Sequence, residues 1–329
     1  MLNGKSVLIT GGTGTFGKAF AKIILAKYPE VERVIIFSRD EFKQFEMSKL
    51  QEFENHPKMR YFVGDVRDRE RLFRAFEDVD IVIHAAALKQ IPSCEYNPFE
   101  AIKTNVNGAQ NVIDAAIDRG VDRIVALSTD KACQPINLYG ATKLCSDKLF
   151  IAGNSYAGRK NTRFSVVRYG NVMGSRGSVV PYFEHLLATQ AKYIPITDQR
   201  MTRFWLRLEE ATNLVLHALE DMVGGELYVK KLPSIKITDL SQAMAPKLPI
   251  KTVGIRPGEK IHEMMISEDD ARNTIEFKDH YIIQPDFHWW TERNTHKNGK
   301  TVPAGFSYHS GNNKEWLSVS EISALLKKI

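Results

Sequence analysis

Two short stretches of this 329-residue chain hold its densest chemistry, Leu127-Ser128-Thr129-Asp130-Lys131 and Tyr139-Gly140-Ala141-Thr142-Lys143. Tyr139 and Lys143 are four residues apart, so on one helix they share a face. A free phenol titrates near ~10, too high for a base at neutral pH, but an adjacent ammonium and an oxidised nicotinamide both favour the phenolate. Tyr139 can then take a hydroxyl proton while hydride leaves the same carbon. Helices produce a tyrosine and a lysine at this spacing by chance. Their place after a strand ending in Ser128 and Thr129, in a chain that opens with a glycine-rich loop, makes them a candidate redox site.

That loop is Gly11-Gly12-Thr13-Gly14-Thr15-Phe16-Gly17. It follows the apolar run Ser6-Val7-Leu8-Ile9-Thr10 and opens a segment of helical spacing. Glycines there let the backbone approach a pyrophosphate, and the helix N-terminus stabilises its charge. Gly11, Thr13, Gly14, Thr15, Phe16 and Gly17 are therefore the candidate phosphate contacts. The end of the next strand decides between dinucleotides, because a carboxylate accepts from the ribose and a cation pairs with a 2′-phosphate. The run is Ser38-Arg39-Asp40-Glu41-Phe42-Lys43. Arg39 can stack on adenine and pair with phosphate, Ser38 can donate, and Lys43 adds charge one turn on, which favours NADP. Asp40 and Glu41 are the features that would suit NAD. Asp65-Val66 and Ala85-Ala86 end the third and fourth strands, the first as a candidate adenine contact and the second as a small-residue floor for the cofactor.

These residues need a scaffold, and the hydrophobic pattern supplies one. Apolar runs at 6–10, 34–37, 59–63, 81–84 and 124–128 alternate with helical spacing, as in Lys18 to Tyr28. The alternation predicts an α/β fold, a doubly wound parallel sheet of Rossmann type, with a second, smaller α/β lobe. The expected division is a dinucleotide-binding domain over 1–172, with later segments returning to it, and a mainly substrate-binding lobe over 173–329. Residues 288–300, polar and aromatic without period, are expected to form a surface loop.

Bulk composition narrows the function classes. The net charge of +6 suits anionic ligands, but the basic residues are scattered and form no nucleic-acid stripe. No apolar run is long enough to span a bilayer, and the chain starts without a signal-peptide pattern, so a cytoplasmic protein is expected. Cys94, Cys133 and Cys145 offer neither a disulfide framework nor metal-ligand spacing, and no metal site is expected.

The motifs together resemble the extended short-chain dehydrogenases/reductases. Within that group they resemble the inverting UDP-N-acetylglucosamine 4,6-dehydratases that open bacterial pseudaminic acid biosynthesis and supply flagellin glycosylation. The resemblance runs over nearly the whole chain. It rests on residues 11–17, 37–41, 84–89 (His-Ala-Ala-Ala-Leu-Lys), 128–131, 137–143, 167–172 (Val-Arg-Tyr-Gly-Asn-Val), 201–205 (Met-Thr-Arg-Phe-Trp) and 254–260 (Gly-Ile-Arg-Pro-Gly-Glu-Lys). Related retaining dehydratases carry Asp-Glu where this chain has Asp130-Lys131, and the lysine changes the base. The resemblance implies Tyr139 as base for the 4-hydroxyl, Lys131 as base at C5, Asp130 as acid for the leaving 6-hydroxyl, and Thr129 as a hydrogen-bond partner of the 4-hydroxyl. It also implies Lys89, Asn171, Arg203, Arg256 and Glu259 as contacts of a UDP-sugar, and a homo-oligomer, a hexamer in preference to a dimer. Cys133-Gln134 departs from the family pattern in the loop between the two motifs. A lysine base must spend part of the cycle neutral, and Lys143 and the oxidised nicotinamide are the expected sources of the positive field that would lower it. A UDP-sugar C4 or C5 epimerase of the same fold and a non-catalytic NADP sensor are the alternatives. Asp130-Lys131 argues against the first, and intact Tyr139 and Lys143 against the second.

Overall fold

The computed structural model describes residues 1–174, 178–287, 296 and 298–327. Six parallel strands come from the first half: β1 (Ser6–Thr10), β2 (Arg33–Ser38), β3 (Met59–Val63), β4 (Ile81–His84), β5 (Arg123–Leu127) and β6 (Arg163–Arg168). Their order across the sheet is β3-β2-β1-β4-β5-β6, so the direction of travel reverses between β1 and β4. Ligands of doubly wound sheets bind at such a switch point, outside the carboxyl ends of the strands. β1 is buried along its whole length and β4 likewise, as central strands covered by helices on both faces must be.

The chain beyond residue 172 contributes to this same sheet. Leu227–Lys230 adds a further parallel strand beside β6, and His280–Ile283, Thr274–Glu276 and Lys300–Thr301 extend the edge in antiparallel fashion. Two apolar layers follow from this. One packs Val112, Phe150, Phe164 and Met265 on one face, and the other packs Phe20, Ile24, Ile36 and Tyr228 on the opposite face. A third cluster stands apart, with Val180, Phe183, Trp205, Leu240 and Ile322 at its centre, all contributed by residues after 172.

Local signals explain the main elements. The helix Leu138–Tyr156 starts at Asn137, whose side chain accepts from the Gly140 amide. The helix Glu41–Ser48 starts at Asp40, which caps Lys43 in the same way. Each cap satisfies an amide the helix would leave unpaired, a contribution of about 1 kcal/mol. Residues 288–295 and 297, the bulk of the expected surface loop, lie outside the described residues. His296 is buried against Glu226, with its Nε2 3.3 Å from the carboxylate. No helix among the described residues is long and apolar enough to cross a membrane.

Candidate active site

The glycine loop fits a pyrophosphate. Gly11 has φ +65°, and a Cβ there would come within 2.8 Å of the Ala86 amide nitrogen, so only glycine allows the ends of β1 and β4 to lie this close. A Cβ on Gly17 would strike the Gly12 backbone. The helix Thr15–Lys27 begins at Gly14 with no side-chain cap, so its first amides have no side-chain acceptor, the arrangement an anion uses. Thr10 Oγ1 joins the two strand ends, 2.9 Å from His84 Nδ1 and accepting from the Ala86 amide at 3.3 Å.

At the end of β2 the two charges nearest the turn serve each other. Asp40 caps the next helix and pairs with Lys43 Nζ at 2.8 Å. Lys43 is thereby tied to a carboxylate, and Asp40 is occupied as a cap. Ser38 Oγ accepts from Gln44 Nε2 at 3.0 Å. Arg39 extends into solvent, its side chain 58% exposed, 3.9 Å from Asp65. Asp65 accepts from the Arg67 backbone and guanidinium, with Val66 buried behind it, while Glu41 and Phe42 are exposed. Ala85 and Ala86 are partly buried beside Gly11.

The catalytic candidates converge at the carboxyl ends of β5 and β6. Gly140 is what lets them do so, because a Cβ there would run into the Lys131 carbonyl oxygen. Tyr139 and Lys143 lie on one face of the helix, one turn apart, as the spacing predicts. Asp130 is buried, and its Oδ1 accepts from Thr129 Oγ1 at 2.8 Å and from Lys131 Nζ at 3.1 Å. Lys131 Nζ also reaches Asn171 Oδ1 at 3.3 Å. Burial pushes the Tyr139 phenol up to about 12, opposed by the Lys131 charge and a hydrogen bond with Thr129. Lys143 is buried and lowered by desolvation, with Asp147 pulling the other way.

The field around Lys131 differs from the expected one. Burial lowers its pKa, but the charges of Asp130 and Glu263 outweigh this and raise it, with Arg203 as the opposing cation. The charges within ion-pair distance of this amine are the carboxylates of Asp130 and Glu263, because the 263 segment packs across the turn, while the charge acting on Lys143 is that of Asp147. Desolvation and the Glu263 charge raise Asp130 as well.

The proposed sugar-nucleotide contacts divide into two groups. Asn171 and Arg203 adjoin Lys131, Arg203 through Glu263 Oε1 at 3.5 Å, and Arg203 also donates to the Thr202 and Ile261 carbonyls. Lys89 is lowered by desolvation and by the charge of Lys131, which puts it beside the same turn. Arg256 and Glu259 pair with each other at 3.9 Å in an outer turn, which Asn137 Nδ2 joins to the catalytic helix by donating to the Gly258 carbonyl at 2.9 Å.

Several contributors escape a linear reading. Asp147 carried a signal, since Tyr139, Lys143 and Asp147 repeat every four residues. It is buried, accepts from Ser128 Oγ at 2.6 Å and pairs with Arg168 at 3.4 Å. Asn105, in a π-helical turn over Lys103–Asn107, bonds the Leu88 backbone and Thr142 Oγ1, tying the Lys89 segment to the catalytic helix. Glu263 carried no signal. Gln134, in the atypical part of the loop, takes a left-handed φ of 46°. A polar crevice of about 490 Å³ lies at the opposite ends of the strands, among Glu32, Arg33, Asp80 and Arg119, far from this chemistry.

A family model described as polysaccharide biosynthesis protein matches residues 7–285. The chain belongs to this family. Among its relatives, a Campylobacter jejuni protein named UDP-N-acetylglucosamine 4,6-dehydratase (inverting) is 55% identical, covering 99% of this chain and 98% of its own length. A Rickettsia canadensis protein named UDP-glucose 4-epimerase is 39% identical over 98% of this chain and 95% of its own. The X-ray structure of Pen from Bacillus thuringiensis superposes with a TM-score of 0.89 at 38% identity, covering 100% of this chain and 99% of that one. Relatives that match this chain over nearly their full length thus carry two different named reactions.

Proposed function

We propose that this chain is a UDP-N-acetylglucosamine 4,6-dehydratase that inverts C5, with NADP as its recycled cofactor. The carrying observation is the ion pair of partly buried Lys131 with buried Asp130, set against Tyr139 and Thr129. The near full-length likeness to proteins named for this reaction supports it. An epimerase that only oxidises and reduces C4 needs no acid at C6 and no base at C5.

Tyr139 takes the proton of the 4-hydroxyl, with Thr129 bonded to it. Bound nicotinamide supplies the hydride acceptor at C4 and the hydride donor at C6. The 4-keto sugar formed has an acidified C5 proton, which Lys131 removes while Asp130 protonates the 6-hydroxyl that leaves as water. Protonation of C5 from the opposite face then inverts that centre. Arg203, Asn171 and Lys89 serve the sugar and diphosphate, and Arg256 and Glu259 the nucleoside end. Arg39 supports NADP over NAD, because it is the cation left open to solvent while Asp40 is spent as a cap.

Proton NMR of the product formed in D₂O from UDP-N-acetylglucosamine and catalytic NADP⁺ tests this. A 4-keto-6-deoxy sugar of L-arabino geometry, deuterated at C5, is expected. A sugar that keeps its 6-hydroxyl and changes only at C4 would establish the epimerase reading, which the Rickettsia relative favours. Consumption of the product toward pseudaminic acid and a cytoplasmic location belong to the same proposal. So does a homo-oligomer, hexameric in preference to dimeric. Tyr96 and Phe99, 88% and 70% exposed on short helices beside the catalytic helix, support self-association, which light scattering would measure.

A further inference from the structure

Glu263 is a buried charge beside the catalytic pair that the reaction above leaves unused. Its side chain is 4% exposed, and one oxygen, Oε1, lies 3.5 Å from Lys131 Nζ and 3.5 Å from Arg203 Nε. The other oxygen, Oε2, is buried with no hydrogen-bond partner among the described residues, and so is Asp130 Oδ2. The backbone of Glu263 is fixed from both directions, its amide donating to Ser310 Oγ at 2.9 Å and its carbonyl accepting from the Ser310 amide at 2.8 Å. The main chain that carries the carboxylate is therefore held in place, and two buried carboxylates flank one ammonium. A buried carboxylate oxygen with no donor is costly, and the two ion pairs of the other oxygen offset that cost.

We infer that Glu263 is a positioning residue of this site, fixing Lys131 between Asp130 and the substrate and keeping one transferable proton on the Lys131–Asp130 pair through neutral pH. The inference rests on the dehydratase reading. The pair begins as ammonium and carboxylate. Movement of the proton from Nζ to Oδ1, 3.1 Å away, gives an amine and a carboxylic acid with no change in net charge. The amine then takes the C5 proton and the acid gives its proton to the departing water, which restores ammonium and carboxylate. Thus Lys131 reaches its neutral form beside two carboxylates, with no cation needed to drive the proton away.

The other charges facing Glu263 are Lys260 on its own segment and Asp130 across the turn, while Tyr139 and Lys89 face Lys131. His262 and His309 lie beside this segment, with ring centroids 5.7 Å apart. Burial raises Glu263, but Lys131, Arg203 and Lys260 outweigh this and hold it below the usual glutamate range, so it stays ionised while Asp130 is the carboxyl that takes the proton.

The test measures dehydration against pH, with C5 deuterium incorporation read by NMR, in wild type, Glu263→Gln and Glu263→Asp. Removing the charge lowers both macroscopic values of the pair, so in Glu263→Gln both limbs of the profile move toward acid, by about one pH unit, and the plateau falls about ten-fold. Single-turnover formation of reduced cofactor, which reports C4 oxidation, stays near wild type. Glu263→Asp keeps the limbs in place and lowers only the plateau. A Glu263→Gln enzyme with wild-type limbs, or equal shifts in both variants, overturns the inference. If Glu263→Gln does not fold, Glu263→Asp decides, and a wild-type plateau there overturns it. A wild-type enzyme that never exchanges C5 overturns the dehydratase reading itself, whereas wild-type exchange that Lys131→Ala abolishes leaves Glu263 alone in question.

Discussion

The two ends of this site are built in different ways. The dinucleotide end is assembled from neighbours in sequence: Gly11 to Gly17 make the turn, Asp40 caps the helix three residues before Lys43, and Thr10 needs only the end of β4 to complete its bonds. The catalytic end is assembled from distance, since Lys131 meets Asn171, Arg203 and Glu263 across 40 to 132 residues of chain. Backbone geometry governs the first and electrostatics the second. A substitution at the glycine loop should therefore act through sterics and binding, and one at Lys131 through protonation.

The largest contrast is expected in turnover. Tyr139→Phe removes the proposed base and should lower kcat by about 10²- to 10⁴-fold, with a much smaller effect on cofactor affinity, to which the glycine loop is the proposed main contributor. Steady-state kinetics with a cofactor titration checks both halves, and a parallel loss of affinity would dissolve the contrast.

His84 sits between the two ends and sharpens the comparison through pH. Burial, aided by the Lys143 charge, lowers its pKa from 6.5 to about 3. The folded protein keeps this ring neutral where the unfolded chain would protonate it, so stability is fully present above about pH 6.5 and falls as the pH drops toward 3. Denaturant unfolding over that window should show a loss of several kcal/mol, which His84→Gln largely removes. Equal acid slopes for the two proteins would mean that another group carries the effect.

Smaller effects test the dinucleotide end alone. Gly17→Ala forces a methyl against the Gly12 backbone and should cost about 1–3 kcal/mol of stability, with weakened cofactor binding, by thermal melting with and without NADP⁺. Asp40→Ala loses one cap and should cost about 1 kcal/mol with turnover unchanged. A change in kcat at Asp40 would couple the dinucleotide end to the catalytic end and erase the difference between them.

The sequence by itself determined what depends on near neighbours. Short apolar runs located the strands and period-3.6 spacing the first helix, with β5 ending one residue before the run suggested. The i, i+4 spacing put Tyr139 and Lys143 on one face, and the glycines marked a close backbone approach. Asp147 was within reach of the same argument, one turn further on. The return of residues 227–230 to the first sheet depended on pairing with β6, and that of 280–283 on pairing with 227–230, which no local pattern encodes. Only the tertiary structure decided the field at Lys131, because charge acts through space and not along the chain. Glu263 belongs to a segment pinned by Ser310, and packing it across the 130–131 turn gave the lysine two anionic neighbours where the sequence had suggested cationic ones.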